Sequence, residues 1–262
     1  MTIMFWILSG AIMLPVHPYQ ISSKESVIAA PGDDAILPCT FTAVDSQNIT
    51  NLIINWQHQD KVVHSFYLGK DQLERQGQAY RERTHLFMKE VLKGNASLAL
   101  KDVRPHHDGE YTCDVTHERG ATKHNVQLTV AAPYEDPKWV IHYNCDVILF
   151  TLSASHGFPE PTVSWKSPIG TSITTMELDT NTYTYSVKSN LTLSLNSTQT
   201  VAVEMKLKAL AQYFIKEVTL HPQTGCCVSN GAHKNRPCLL ISFPTIPTVF
   251  LATFFGLLFA TH

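Results

Sequence analysis

The chain has 262 residues, 44% of them hydrophobic, and its 20 Lys and Arg nearly balance 22 Asp and Glu for a formal net charge of −2. Scattered, near-neutral charge of this kind lacks the basic footprint of a nucleic-acid-binding protein. Between two apolar termini lie about 210 residues, which suits two domains of ordinary size.

MTIMFWILSGAIMLPV opens the chain as an uncharged apolar run of signal-peptide length, without the usual basic leading region. Residues 1–19 are read as a signal peptide, with cleavage left open over roughly residues 11 to 20. A buried first helix is the competing reading, opposed by the polar, strand-like sequence that follows at once.

Residues 20–131 carry strand signals separated by turn residues. Ala35, Leu37, Cys39 and Phe41 share one face at period two, as do Leu52, Ile54 and Trp56 in NLIINW. NASLALKDV turns Leu98 and Leu100 inward, and EYTCDV does the same with Tyr111, Cys113 and Val115. Cys39, Trp56 and Cys113 have the order and spacing of a variable-type immunoglobulin sandwich, whose inter-sheet disulfide joins the two cysteines. Tyr111, two residues before the second cysteine, occupies the tyrosine-corner position. One departure stands out in HDGEYTC: His107 takes the place of an aspartate that ordinarily pairs with an arginine, here read as Arg83. A neutral imidazole cannot make that charge-assisted pair. Either Asp108 shifts over to serve, or the pair is absent.

The segments DKVVHSFYLGKDQLERQ, RERTHLF, GNASLALKDV and QLTVAAPY, together with the Cys113 segment, resemble the costimulatory-ligand family of butyrophilin-like surface proteins in the immunoglobulin superfamily. The resemblance is dense over residues 32 to 134 and only a pattern beyond. It implies an all-β protein of two tandem immunoglobulin-like sandwiches, variable-set then constant-set, acting as a ligand that tunes T-cell activation.

Ala131-Ala132-Pro133-Tyr134 marks the junction to a second domain, residues 132–222, with strand-like runs at WVIHY, VILFTLSAS, TVSW, YTYSVKSNLTLSLN, TVAVEMKL and FIKEVTL. GFPEP before Trp165 resembles the second-to-third strand turn of constant-set domains, and Phe158–Pro159 is a candidate cis bond. The resemblance places cysteines where this chain has Leu152 and Val203, and tyrosine where it has Val201. Losing both cysteines to apolar residues leaves a closed hydrocarbon contact, whereas losing one would bury an oxidisable thiol. A cross-link over a loop of about 50 residues is worth roughly 4 kcal/mol in the chain-entropy model. Burying Leu and Val returns about 1.5–3 kcal/mol each, so a folded but softer domain is expected. Cys145, Cys226, Cys227 and Cys238 remain. A substitute bridge from Cys145 to Cys226 or Cys227 and intermolecular pairing near the membrane are both open.

Residues 223–237 read as a spacer, and the apolar stretch 238–260 is long enough to cross a bilayer. No Lys or Arg follows it, whereas Lys234 and Arg236 precede it, the reverse of a span whose N-terminus lies outside. Ser229, Asn230 and Gly231, a polar spacer and an apolar tail fit a glycosylphosphatidylinositol attachment signal. A tailless transmembrane helix is the alternative. Sequons at Asn48, Asn95, Asn190 and Asn196 behind a signal peptide read as those of a secreted or cell-surface glycoprotein, and with the C-terminal signal the external side of the plasma membrane is expected.

The 13 histidines invite a metal or catalytic reading, but none stands in a recognised ligand frame. They read as solvated loop residues; neither an enzyme, a cofactor nor a small-molecule substrate is expected. Recognition is the better use of the scaffold. Parity turns Asn55 and Gln57 outward beside Trp56, and Thr112, Asp114 and Thr116 outward beside Cys113, next to the hairpin loop His117, Glu118 and Arg119. Asn95 and Asn190 fall on the opposite sheets, so their sugars leave this face bare; Asn48, near a distal loop, qualifies that. The expectation is a surface ligand that engages a protein receptor on lymphocytes through this face and inhibits T-cell activation. Adhesion without immune tuning, or a decoy, is the alternative.

Overall fold

The structure is a computed structural model describing residues 25–43, 46–118, 120–143, 147–194, 197–222 and 239–244. The expected signal peptide, Cys145, Cys226, Cys227, Cys238, Asn196, Arg119, the anchor residues Ser229, Asn230 and Gly231, and the side chain of Asn48 lie outside what is described. Among the described residues no helix is long and apolar enough to cross a membrane.

The first domain comprises β1 (Glu25–Ala29), β2 (Ala35–Leu37), β3 (Ile53–His58), β4 (Lys61–Tyr67), β5 (Lys70–Asp71), β6 (Thr84–Leu86), β7 (Leu98–Leu100), β8 (Gly109–His117) and β9 (Gly120–Val130). A six-stranded sheet, β1-β9-β8-β3-β4-β5, packs on a three-stranded one, β2-β7-β6. Alternation drives this arrangement: Tyr111, Cys113 and Val115 on β8, with Ile54 and Trp56 on β3, are fully buried between the sheets. A disulfide joins Cys39 to Cys113 across the core, and the Trp56 indole N–H donates to the Ala96 carbonyl at 3.0 Å.

The tyrosine corner is closed by the Tyr111 hydroxyl donating to the His107 carbonyl at 2.9 Å. Around it the histidines depart from the sequence expectation. His58, His64 and His107 are not solvated loop residues; they are buried. Neutral His107 is held at both nitrogens: Nδ1 accepts the Arg104 N–H at 3.0 Å, and Nε2–H donates to the Ala79 carbonyl at 3.2 Å. Burial, then the neighbouring His106, lowers its pKa to about 4. Arg83 keeps an ion pair, but with Asp102 at 2.5 Å rather than Asp108. Asp108 instead accepts the Val130 N–H at 2.9 Å, tying the corner to the last strand of the domain. The guanidiniums of Arg83 and Arg104 hold the Asp102 carboxyl below its ordinary range.

His58 Nδ1 lies 2.6 Å from the Tyr80 hydroxyl, which lies 3.3 Å from the Tyr111 hydroxyl. One direction of donation, from His58 Nδ1–H through Tyr80 and Tyr111 to the His107 carbonyl, satisfies every hydroxyl in this buried chain. It leaves His58 Nε2 unprotonated against Gly109. A Cβ at Gly109 would lie 2.6 Å from that nitrogen, and the backbone there has φ +137°, so only glycine closes the corner.

The second domain comprises β10 (Lys138–Tyr143), β11 (Ile148–Gly157), β12 (Thr162–Lys166), β13 (Thr171–Asp179), β14 (Thr184–Leu193), β15 (Gln199–Leu207), β16 (Gln212–Pro222) and β17 (Leu239–Ser242). Sheet β10-β11-β14-β13 faces sheet β12-β15-β16-β17. Leu152 on β11 and Val203 on β15 are both 0% exposed and share one apolar cluster, with Trp165 packed against it. Val201 is buried in the adjoining cluster. Trp139, Phe150 and Trp165 form an aromatic group with ring centroids 5.6–6.1 Å apart. The Trp165 indole N–H donates to Ser189 Oγ at 2.8 Å. Part of the terminal apolar stretch, Leu239–Ser242, lies as an edge strand on β16, because Leu239 and Ile241 cover the open end of the core. The Phe158–Pro159 bond is cis.

At the junction, Ala132 and Phe158 exchange backbone hydrogen bonds at 2.9 Å, and Phe158 packs on the core of the first domain. Arg104 of the first domain stands over the Tyr183 ring of the second, 4.7 Å from its centroid. The Tyr134 main chain is clasped by the Gln212 amide, which accepts from Tyr134 N at 2.9 Å and donates to its carbonyl at 2.7 Å.

Candidate functional site

The outward surface of β9, β8, β3 and β4 assembles the residues singled out by parity. Registers across three strands put Lys123, Asp114 and Asn55 in one row, and Asn125, Thr112 and Gln57 in the next. Gln57, Asp114, Thr116 and Glu118 are exposed; Asn55, Thr112 and His117 are half-buried. The rows are knitted by side-chain hydrogen bonds. Thr112 Oγ1 donates to Asn125 Oδ1 at 3.1 Å, and Asn125 Nδ2 donates to Glu110 Oε1 at 3.3 Å. At the distal end Asn51 Nδ2 donates to Glu118 Oε1 at 2.7 Å, and the His117 ring lies 6.1 Å from Phe41. Such bonds hold the polar side chains in place before any partner arrives, which lowers the ordering cost of binding.

Sequence reasoning missed the apolar part of this face. Ile53, opposite Thr116, is 40% exposed, and the register that pairs Ile54 with Phe66 brings Tyr67, 39% exposed, beside it. Beyond Tyr67 the two-residue turn Leu68-Gly69 joins β4 to β5, both residues with positive φ. That is the turn geometry that suits a twisted hairpin. It comes with an unusual occupant, since a leucine at φ 55° is sterically disfavoured. Its side chain is 67% exposed at the tip. Ile53 was legible, being in phase with Asn55 and Gln57; Leu68 depends on turn geometry that composition does not declare. Ile53, Tyr67 and Leu68 thus form an apolar patch rimmed by polar side chains, the usual anatomy of a protein-recognition surface.

The described sequons lie elsewhere. Asn95 bridges to Thr40 beside the β2-β7-β6 sheet, its Oδ1 accepting Ser97 N–H at 2.9 Å. Asn190 is on β14, and its Oδ1 accepts the Thr151 hydroxyl at 2.9 Å. Among the described residues no group of three or more His, Cys, Asp or Glu side chains could hold a metal ion. The buried histidines serve the tyrosine corner and, for His64, a link from β4 to Asp71 and Thr84 at 3.1 and 2.9 Å.

Residues 22–131 match the family of immunoglobulin V-set domains. The chain is 32% identical over 183 residues to the V-set domain-containing T-cell activation inhibitor 1 of Homo sapiens, covering 64% of each chain. It is 33% identical over 164 residues to the HERV-H LTR-associating protein 2 of Homo sapiens, covering 60% of this chain and 37% of that one. The matched region therefore spans less than two thirds of either relative. Among solved structures, bovine butyrophilin aligns with a TM-score of 0.55 at 21% identity, over 74% of this chain and 93% of that one. A chain from the complex of ICOS with ICOS-L aligns with a TM-score of 0.57 at 22% identity, over 74% of this chain and 99% of that one. These two likenesses establish the shared two-sandwich fold.

Proposed function

We propose, for a chain that belongs to the butyrophilin-like costimulatory-ligand family of the immunoglobulin superfamily, that it is a non-catalytic cell-surface ligand binding a lymphocyte receptor through its V-set domain. The observation that carries this reading is the exposed patch of Ile53, Tyr67 and Leu68, set beside Asn55, Gln57, Asp114 and Thr116. Apolar anchors ringed by ordered polar groups concentrate binding energy at an interface. Both described sequons, Asn95 and Asn190, lie on the other sheets, leaving this surface clear of their sugars. Inhibition is the favoured sign, because relatives bear the names T-cell activation inhibitor and programmed cell death 1 ligand. The apolar C-terminal stretch reads as the signal for a lipid anchor in preference to a span. Transfer to the lipid at Ser229, Asn230 or Gly231 would cleave it away together with the edge strand Leu239–Ser242.

Plate-bound extracellular protein, added to stimulated T cells, tests the reading. Wild type should reduce proliferation, and Tyr67→Ala or Ile53→Asp should cost at least about tenfold in cell-surface binding, the loss of one anchor of about 1.4 kcal/mol. Ile36→Ser, on the exposed side of β2, should change neither. Binding lost with Ile36→Ser but kept with Tyr67→Ala would place the interface on the other sheet. Cell–cell clustering without an effect on proliferation would make the protein an adhesion molecule. Release by a phosphatidylinositol-specific phospholipase reports the anchor.

A further inference from the structure

The second domain has an outward surface that the proposed receptor face does not use. On sheet β10-β11-β14-β13 the registers place Val140, Thr151, Asn190 and Ile173 in one row across all four strands. Asn190 sits near the middle of this row, at a sequon, between two apolar side chains that face water: Val140 is 44% exposed and Ile173 64%. The bond from the Thr151 hydroxyl fixes the asparagine amide with Oδ1 toward β11. Nδ2, the atom that carries an N-linked sugar, is thereby turned away from β11.

One outward row along β14, about 7 Å away, a groove of about 290 Å³ opens. Its lining includes Ser153 and Ser155 of β11, Thr175 and Glu177 of β13, and Ser186 and Lys188 of β14. With Glu135, Asp136 and Lys138 also on its rim, four hydroxyls, three carboxylates and two ammoniums make a donor and acceptor set suited to sugar hydroxyls and acetamido groups. Ile173, beside the attachment point, offers contact to the apolar face of a pyranose ring. The same domain lacks an inter-sheet cross-link between Leu152 and Val203, and a ligand that binds only the folded sheet stabilises it by mass action.

We propose that the oligosaccharide on Asn190 lies down along β14, its first N-acetylglucosamine over Ile173 and the next sugars in the groove of Ser153, Thr175, Ser186 and Lys188. The proposal rests on the reading of Asn190 as a glycosylated sequon. A docked glycan is a structural part of the second domain, and it leaves the sheet β12-β15-β16-β17 bare.

The test uses the full extracellular chain from mammalian cells. Glycopeptide mass spectrometry should find Asn190 occupied. Under native conditions a peptide N-glycosidase should release that glycan at least about tenfold more slowly than from the groove-filling variants Ser153→Tyr and Thr175→Tyr, tenfold protection meaning a docked population of about nine-tenths. After denaturation all three should release alike, and circular dichroism confirms that each variant is folded. Removing the glycan with Asn190→Gln should lower the unfolding midpoint of the second domain in wild type, and less so in an Ile173→Ser background. An unoccupied Asn190 would overturn the sequon reading and the docking with it. An occupied Asn190, released from native wild type as fast as from the filled variants, would overturn the docking alone.

Discussion

Leu152 and Val203 lie fully buried in one cluster, on strands of facing sheets, where the resemblance places the two cysteines of an inter-sheet disulfide. Trp165, paired in register with Val203, closes over them. The domain therefore depends on hydrocarbon contact at a point where a cross-link would otherwise limit its unfolded state. Leu152→Ala should destabilise the second domain by about 2–5 kcal/mol, read by chemical denaturation. The double variant Leu152→Cys with Val203→Cys should lose both free thiols and gain up to about 4 kcal/mol relative to its reduced form. Two titratable thiols in the oxidised double variant would show that the strands do not oppose each other closely enough.

Acid should weaken the first domain before the second. His107 uses its neutral ring twice, and its folded pKa of about 4 is depressed from 6.5, first by burial. His58 and His64 are lowered too, again chiefly by burial. The unfolded chain binds more protons than the folded one between these values, so stability is present at neutral pH and lost as pH falls from about 6.5 to 4. Its size for His107 is on the order of 2–3 kcal/mol. Glu204 behaves differently: the ammoniums of Lys166 and Lys206 hold it at about 2, so its contribution survives until below pH 4.5. Denaturation midpoints at pH 7.5 and 5 should diverge for wild type. His107→Asn, which keeps only an acceptor near Nδ1, should be weaker at pH 7.5 and show a shallower slope. An unchanged slope would remove His107 as the source.

Gly109→Ala should cost about 1–3 kcal/mol from backbone strain alone, with further loss from the collision with His58. Adding His58→Ala should recover the collision and not the strain. Thermal unfolding of the two variants separates the contributions, and full recovery would show that φ at this position is not restrictive.

Ser189 is fully buried, accepting from the Trp165 indole and bonded to Thr174 at 2.6 Å. Ser189→Ala leaves the indole N–H without a partner away from water, which should cost about 1–3 kcal/mol. Tryptophan fluorescence during unfolding reports it directly; a loss below 0.5 kcal/mol would mean that water reaches the indole.

Much of the first domain was legible because its signals are local. Alternation about Cys39, Trp56 and Cys113 sets inward and outward faces, and the same parity turned Gln57, Asp114 and Thr116 to solvent. What escaped depends on tertiary geometry. His58 is an exception: it is in phase with the buried Ile54 and Trp56, so its inward side was legible. Burial of His107 follows from the stacking of Tyr80 onto the corner, and that of His64 from its bonds to Thr84 and Asp71, which no local pattern encodes. Arg83 finds Asp102 because a positive-φ residue at φ 50° swings that carboxylate under two guanidiniums. Parity already turned Ile53 outward beside Asn55 and Gln57, but that Tyr67 lies next to it depends on the register of β3 with β4.

The hairpin of β8 and β9 begins beside the domain junction, at Gly109 paired with Leu128, and ends at His117 paired with Gly120. Its hydrogen bonds run perpendicular to the strands. Tension between a partner gripping the distal tip and a membrane holding the far domain would act along those strands. The ladder is then loaded all at once in shear rather than opened bond by bond. β1, parallel to β9 from Glu25 to Ala29, shares the same axis. If the proposed receptor binds the distal tip and the chain is held at a membrane, the most load-resistant direction of the V-set domain lies along the line joining the two.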